Sequence, residues 1–187
     1  MEKTQARQAI QRALTELTPQ QRQQYSARAT RQLMALTEYQ RAKTVLYFVA
    51  MEGEIDTLPL IAAALRTGKR VAVPKVDRVR RTMQAHAITE PGEQIRPGAY
   101  GIPEPVTRTV VPVEEIDLVL VPALGFGLRG HRLGRGAGYY DRYLCSPGLR
   151  AVKCGFAFDA QVLGDLPCDE HDVPVDVIVT ERRTIRC

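Results

Sequence analysis

Apolar residues recur at helical spacing near the start of the chain and form short continuous runs further along it. The first helical pattern predicts an amphipathic helix with the apolar positions Ala6, Ile10, Ala13, Leu14 and Leu17. Thr18 and Pro19, with Gln21 at the capping-box position, indicate the start of a second helix. The inner face of that helix consists of Tyr25, Ala29, Leu33 and Leu36.

The continuous apolar runs predict strands that alternate with helices. A strand at 44–50, a helix at 57–66 closed by Gly68, and a strand at 70–73 ended by Pro74 form one such unit. Further strands are predicted at 83–88, at the sheet edge, and at 116–121, 152–158 and 175–180, with a short helix at 139–144. This alternation is typical of parallel sheets covered by helices.

The pattern therefore predicts one α/β domain over residues 1–187, with a mostly parallel central sheet. The hydrophobic fraction of 44% and the charged fraction of 25% are ordinary for a globular protein. No apolar run approaches the length of a membrane span, and the first residues lack the apolar core of a signal peptide. We therefore expect a cytoplasmic protein with no membrane partner and with reduced cysteines.

The segment between strand 116–121 and helix 139–144 is the richest in chemistry. It interleaves glycines with basic residues, namely Gly125, Gly127, Gly130, Gly134, Gly136 and Gly138 with Arg129, His131, Arg132 and Arg135. Glycine lets backbone N–H groups turn toward a ligand, and guanidinium groups bind oxyanions through paired hydrogen bonds. This composition predicts a polyphosphate site, and the alternative is a surface loop with glycines at its turns.

The loop does not match the common phosphate-binding motifs. Gly125, Gly127 and Gly130 satisfy G-x-G-x-x-G, but the glycine-rich residues that follow cannot begin the helix of a dinucleotide fingerprint. A Walker A loop would need Lys and then Ser or Thr where the chain has His131 and Arg132. The net charge of +5 suits an anionic ligand, yet no nucleic-acid-binding motif is present. We therefore expect no nucleic-acid partner.

Several candidate residues also have a plain structural interpretation. Asp141 lies in the first turn of helix 139–144. A carboxylate there is either stabilised by the helix dipole without further function, or it ligates Mg²⁺ beside phosphates. Glu54 and Asp56 follow a predicted strand at the edge where parallel sheets bind ligands, although either could cap the next helix. Lys3 and Arg7, taken alone, indicate a solvated helix face.

The acidic residues around His171 also allow two interpretations. Asp169, Glu170 and Asp172 could form a metal site with this histidine. We favour a solvated acidic loop instead.

Residues 121–126, VPALGF, and 130–142, GHRLGRGAGYYDR, resemble the signature of the 5-formyltetrahydrofolate cyclo-ligase family. Residues 45–57, 100–105 and 171–180, together with Lys3 and Arg7, extend this resemblance over nearly the whole chain in the same order. Ala137 stands where the family usually carries Gly or Lys. The resemblance implies a three-layer α/β/α fold and an enzyme that uses ATP and Mg²⁺. That enzyme would convert 5-formyltetrahydrofolate to 5,10-methenyltetrahydrofolate and release ADP and phosphate.

The resemblance also assigns residues to the substrates. The ATP contacts it implies are Lys3, Arg7, Arg132, Leu133, Gly134, Arg135, Gly136, Ala137, Gly138, Tyr139 and Tyr140. The folate contacts it implies are Val49, Glu54, Tyr100, Arg135, Gly136, Ala137, Gly138 and Tyr139, with Tyr100 and Tyr139 on either side of the pterin. Arg132 and Arg135 are the catalytic candidates, and Asp141 and Asp176 are the candidate Mg²⁺ ligands.

In the implied reaction the formyl oxygen attacks the γ-phosphate of ATP, and N10 then closes the ring as phosphate leaves. We expect a monomer whose partner is the folate, with or without a polyglutamate tail. Two other protein classes share some of these features. A sugar-phosphate isomerase would bind a single phosphate in the basic loop without ATP, and a nucleotide- or RNA-binding protein would bind phosphate without chemistry. Folate-dependent ATP hydrolysis distinguishes the ligase from both.

Overall fold

The computed structural model describes residues 2–98, 102–169 and 172–187. Its helices are α1 (Lys3–Thr15), α2 (Pro19–Ala35), α3 (Thr37–Arg41), α4 (Leu58–Arg66), α5 (Pro91–Gln94) and α6 (Tyr139–Leu144). Its strands are β1 (Thr44–Leu46), β2 (Arg70–Asp77), β3 (Thr82–Ile88), β4 (Ile95–Pro97), β5 (Pro103–Pro105), β6 (Val110–Val111), β7 (Leu118–Val121), β8 (Gly125–Gly127), β9 (Arg132–Leu133), β10 (Val152–Phe156), β11 (Val162–Leu163), β12 (Val177–Val179) and β13 (Thr184–Arg186). None of the helices in these ranges is long and apolar enough to cross a membrane.

Local sequence signals set the helix boundaries. The Thr18 hydroxyl accepts a hydrogen bond from the Gln21 backbone N–H at 3.2 Å, and the Gln21 side chain accepts one from the Thr18 N–H at 2.9 Å. This reciprocal pair confirms the predicted capping box at the start of α2. At α4 the Asp56 carboxylate accepts a hydrogen bond from the Leu58 N–H, so Asp56 caps that helix.

The main sheet has the strand order β13-β12-β10-β7-β1-β2-β3-β6. The five strands from β12 to β2 pair in parallel, as the alternation of strands and helices predicts. The mostly parallel description therefore holds for the centre of the sheet. It does not hold at the edges, because β13 on one side and β3 and β6 on the other pair antiparallel.

Alternating side chains divide the central strands between two cores. Val45, Leu118 and Val177 belong to the core under α2, α3 and α4, whereas their neighbours Leu46, Val119 and Ile178 belong to the core that includes α6. Because successive residues of a strand point to opposite faces, both faces must be covered. Helices cover both, which gives the three-layer α/β/α arrangement that the resemblance implies.

Two sequence predictions fail where strand pairing overrides local signals. Strand β2 continues through Pro74 to Asp77 rather than ending there. The carbonyl of Ala72 accepts from the Tyr47 N–H, so residues 72 and 74 face β1, which ends at Leu46. Pro74 therefore needs no N–H donor on that side. Strand β1 is correspondingly shorter than the predicted 44–50.

The glycine-rich segment is also not one open loop. Its first half folds into the antiparallel hairpin β8–β9, which pairs with β11 in a small separate sheet. Residues 134–138 lie outside this hairpin and connect it to α6.

Candidate active site

A cavity of about 560 Å³ opens at the carboxyl edge of the parallel strands. Its lining includes Phe48 and Val49 after β1, Val76 at the end of β2, and Pro122 and Ala123 after β7. Chains that leave neighbouring parallel strands diverge at this edge, and the space between them is where open α/β sheets bind ligands. We refer to this cavity as the pocket.

The pocket is lined by apolar and by charged side chains, which we refer to as the apolar wall and the charged wall. The apolar wall consists of Phe48, Val49, Met51, Pro74, Val76, Met83, Ile102, Pro103 and Tyr139. The charged side chains are Lys3, Arg7, Arg132 and Arg135 with Glu54, Glu104, Asp141, Asp169 and Asp172. Such a lining, largely apolar with a few polar groups, is typical of a binding site for a small molecule.

Residues 134–138, which we call the glycine loop, form part of this lining. Gly136 has a φ of 99° and Gly138 a φ of 66°, a left-handed backbone that residues with a side chain rarely adopt. These two glycines let the loop curve along the pocket and lead directly into α6. Substitution at either position would therefore change the shape of the pocket wall.

Arg132 and Asp141 form a buried ion pair beside the glycine loop. The Arg132 side chain is only 5% exposed, and its Nη2 donates to Asp141 Oδ1, which also accepts from the Val173 N–H at 3.2 Å. Among the described residues, Arg132 Nε and the Tyr140 hydroxyl are buried without a hydrogen-bond partner. Burial, reinforced by the nearby charge of Glu54, raises the pKa of Tyr140, so its hydroxyl remains a donor.

A second ion pair joins the glycine loop to the end of β1. Arg135 Nη2 lies 2.8 Å from Glu54 Oε1, and Glu54 Oε2 accepts from the Met51 N–H at 3.0 Å. Arg22 also stabilises this turn, because its Nη1 donates to the Gly53 carbonyl at 2.6 Å. Glu54 is therefore held in place by backbone contacts, whereas the Arg135 side chain is 56% exposed.

The first helix contributes two cations to the pocket. Lys3 Nζ lies 2.6 Å from Asp169 Oδ2 and 3.4 Å from Asp172 Oδ2. The hydrogen bond from Lys3 to Asp169 is the main reason why the pKa of Lys3 is raised. Burial alone would raise the pKa of Asp172, but the Asp169 N–H and the Lys3 ammonium outweigh it and hold that pKa below its usual value. Arg7 also lines the pocket and forms no ion pair with another described residue.

The structure brings together nearly all of the predicted site residues that it describes. Those that line the pocket are Lys3, Arg7, Val49, Glu54, Arg132, Leu133, Gly134, Arg135, Gly136, Ala137, Gly138, Tyr139, Tyr140 and Asp141. Tyr100 lies outside the described residues. Arg129 is turned away, because its guanidinium pairs with Asp165 at 2.7 Å on the surface of the β8–β9 hairpin.

Asp176 is the predicted residue that the structure places elsewhere. It precedes β12 at the amino edge of the sheet, opposite the pocket, where its carboxylate accepts from the Lys153 N–H at 2.7 Å and pairs with Lys153 Nζ at 3.2 Å. Asp117 has the same role before β7, since it accepts from the N–H groups of Lys43 and Thr44. Both aspartates thus satisfy donors at the start of neighbouring strands.

The prediction of a solvated acidic loop is confirmed for Asp169, which is 70% exposed, although it also pairs with Lys3. It is wrong for Asp172, which is 21% exposed, lines the pocket and pairs with Lys3. The interpretation of Lys3 and Arg7 as a solvated helix face is corrected in the same way. Asp172 lies in segment 171–180, one of the segments that carry the family resemblance. This resemblance is the feature of the sequence from which a place for Asp172 in the site could have been predicted.

The carboxylates of the pocket fit a metal that arrives with a nucleotide. Within the described ranges, no three His, Cys, Asp or Glu side chains converge as a metal cage. Mg²⁺ bound to nucleotide phosphates needs only one or two protein carboxylates. Asp141 and Asp172 both line the pocket, and the hydrogen bond from Val173 to Asp141 holds the two segments together.

The sequence is similar to one family of known proteins over most of its length. The model of the 5-formyltetrahydrofolate cyclo-ligase family matches residues 1–181. The chain is 33% identical to the 5-formyltetrahydrofolate cyclo-ligase of Escherichia coli K12 over 167 residues, covering 88% of this chain and 92% of that protein. It is 29% identical to the mouse cyclo-ligase, covering 92% and 90% of the two chains.

Two solved structures have a similar fold. The NMR structure of Aquifex aeolicus 5,10-methenyltetrahydrofolate synthetase has a TM-score of 0.86 and 34% identity, covering 100% of this chain and 93% of that one. A 5,10-methenyltetrahydrofolate synthetase from Mycoplasma pneumoniae has a TM-score of 0.76 at 24% identity, covering 97% and 99% of the two chains. The second similarity concerns the fold alone.

Proposed function

The chain belongs to the 5-formyltetrahydrofolate cyclo-ligase family, and we propose that its ATP-dependent conversion of 5-formyltetrahydrofolate to 5,10-methenyltetrahydrofolate takes place in the pocket. The observation that carries this proposal is that one cavity is lined by apolar side chains, by several cationic side chains and by the glycine loop. A ligase of this kind must bring a pterin and the γ-phosphate of ATP into contact. A pocket for a single phosphate would not need the apolar wall.

The charged wall is the proposed site of the ATP phosphates. Lys3, Arg7 and Arg132 provide positive charge there, and the glycine loop provides a closely approachable backbone. Arg132 Nε and the Tyr140 hydroxyl are buried donors that an incoming oxyanion would satisfy. Because an unpaired buried donor costs about 1–3 kcal/mol, binding an acceptor there removes an existing penalty.

The apolar wall is the proposed site of the folate. Val49 and Tyr139 would contact the pterin, and Glu54 would accept hydrogen bonds from its amino and ring N–H groups. Glu54 is suited to this role because its position is fixed by the Met51 N–H and by the Gly53 turn. Tyr100 is proposed as a second aromatic contact on the strength of the resemblance alone.

The chemistry requires positioning and charge neutralisation rather than a protein nucleophile. The formyl oxygen attacks the γ-phosphorus, the bond to the bridging oxygen breaks, and ADP leaves. N10 then attacks the activated carbon, and the phosphorylated oxygen leaves as phosphate. Arg135 is placed to neutralise charge on the transferred phosphoryl group, because its exposed guanidinium can exchange Glu54 for phosphate oxygens.

Mg²⁺ is part of this proposal, with Asp141 and Asp172 as the residues that would hold it. When bound, the ion would reduce the negative charge of the nucleotide phosphates. Asp176 is not included, because it lies at the opposite edge of the sheet. A monomer in the cytoplasm, acting on folate with or without a polyglutamate tail and binding no nucleic acid, completes the proposal.

We expect purified protein to form 5,10-methenyltetrahydrofolate only when 5-formyltetrahydrofolate, ATP and Mg²⁺ are all present. Absorbance of the methenyl product and release of ADP would be followed together, with each component omitted in turn. Equal amounts of product and ADP are the expected result. Product without a nucleotide, or folate-independent ATP hydrolysis at the same rate, would contradict the proposal.

Glu54→Gln is expected to weaken folate binding by about 1–3 kcal/mol while changing ATP affinity little. Glutamine preserves the shape but replaces one acceptor with a donor that faces the pterin N–H groups. Calorimetric titration with each substrate separately measures both affinities. If only the affinity for ATP falls, Glu54 does not bind the folate and serves only to hold Arg135 in place.

A further inference from the structure

Arg142 contacts the glycine loop from outside the pocket. This residue lies on α6, and its Nη2 donates to the Ala137 carbonyl at 2.8 Å. Its Nε donates to the Arg81 carbonyl, also at 2.8 Å. Its guanidinium carbon lies 5.4 Å from the centre of the Tyr139 ring. One side chain of α6 thus connects the glycine loop to the turn between β2 and β3 and packs over an aromatic ring of its own helix.

The two carbonyls belong to unusual backbone. Ala137 lies between Gly136 and Gly138, the two left-handed glycines of the loop. Arg81 is the one residue other than glycine in the described ranges with a positive φ, at 54°, and it lies in the turn between β2 and β3. Such a conformation is uncommon for a residue with a side chain, and surrounding contacts must maintain it.

Both connected segments lead into the pocket. Val76 and Met83, on either side of the β2–β3 turn, line the pocket, and so do the residues of the glycine loop. Arg142 itself does not line the pocket and forms no ion pair with a described residue. The guanidinium donates hydrogen bonds to two main-chain carbonyls, so we expect it to fix the positions of these segments rather than to act as a free charge.

We propose that Arg142 is a positioning residue that holds the glycine loop in its curved conformation by linking Ala137 to the β2–β3 turn. The inference rests on the proposed function for its kinetic consequence. Two glycines make the loop intrinsically adaptable, so a restraint from outside reduces the conformations in which its backbone and Arg135 are misplaced. Stacking of the guanidinium on Tyr139 restrains the adjoining pocket wall in the same way.

The test compares Arg142→Ala and Arg142→Lys with Arg150→Ala, a change at an exposed arginine that does not line the pocket. Trypsin cleavage after Arg135, followed by mass spectrometry without substrates, reports the mobility of the loop. We expect Arg142→Ala to accelerate this cleavage about fivefold, because the loop opens locally more often. We expect kcat to fall about tenfold with little change in Tm, as misplaced groups reduce the reactive fraction.

Arg142→Lys can reach one carbonyl but not both, so its cleavage rate and kcat are expected to lie between those of the wild type and Arg142→Ala. It also keeps the test valid if the alanine variant fails to fold. Unchanged cleavage after Arg135 in both variants would overturn the inference, as would kinetic constants within twofold of the wild type. If the wild type makes no methenyl product, the proposed function fails, and the cleavage rates alone decide the role of Arg142.

Discussion

Arg135→Ala is expected to lower kcat by about 10²-fold while leaving Tm nearly unchanged. The side chain is 56% exposed and its described ion pair is with Glu54, so removing it takes away little packing. Exposed ion pairs contribute only about 0–1 kcal/mol to stability. By contrast, a guanidinium that lines the pocket can stabilise charge that develops during phosphoryl transfer.

The measurement is the rate of methenyl formation at saturating ATP and folate, together with thermal unfolding. Arg129→Ala is the matched control, because Arg129 is an exposed arginine of the same glycine-rich segment and pairs with Asp165 outside the pocket. The control should retain wild-type kcat. If Arg135→Ala also retains kcat within threefold, Arg135 does not act on the transferred group.

Asp141→Asn is expected to affect stability and metal dependence together. It leaves the buried Arg132 without its counter-charge, and removal of one partner of a buried pair costs about 3–5 kcal/mol. Because Asp141 is 24% exposed, we expect a loss of stability at the lower end of this range, about 3 kcal/mol. The Mg²⁺ concentration for half-maximal rate should rise about tenfold, since one anionic oxygen ligand is lost.

Urea unfolding and Mg²⁺ titration of the rate measure these two effects separately. Asp176→Asn is the control for the metal, because Asp176 lies at the opposite edge of the sheet and contacts Lys153. It should leave the Mg²⁺ dependence unchanged. A change in Mg²⁺ dependence for Asp176→Asn but not for Asp141→Asn would reverse our assignment of the metal ligands.

Local signals in the sequence predicted most of the architecture. The Thr18 capping box and the alternation of strands with helices depend on neighbouring residues, and the structure confirms both. The extension of β2 through Pro74 could not be predicted in this way. It depends on where β1 ends, which is a property of strand pairing.

The same difference between local and long-range contacts applies to the candidate site. Arg132 and Asp141 lie within ten residues of each other in a recognisable motif, so sequence reasoning could assign both to one site, and both line the pocket. Asp172 was assigned to a solvated loop because its contact with Lys3 joins residues 169 positions apart. Arg142 was part of the motif, yet its function depends on the carbonyl of Arg81, 61 positions away, and no side-chain pattern records that contact.

The contact between Lys3 and the segment that holds Asp169 and Asp172 also has a consequence for biosynthesis. Residues on both sides of this ion-pair cluster are needed to complete the charged wall, and Lys3 is translated 166 residues before Asp169. Until these residues have been synthesised on the ribosome, Lys3 on α1 has no carboxylate from this segment with which to pair. A nascent chain that ends before residue 169 therefore cannot form the ion pairs of Lys3, even if its central strands have already paired.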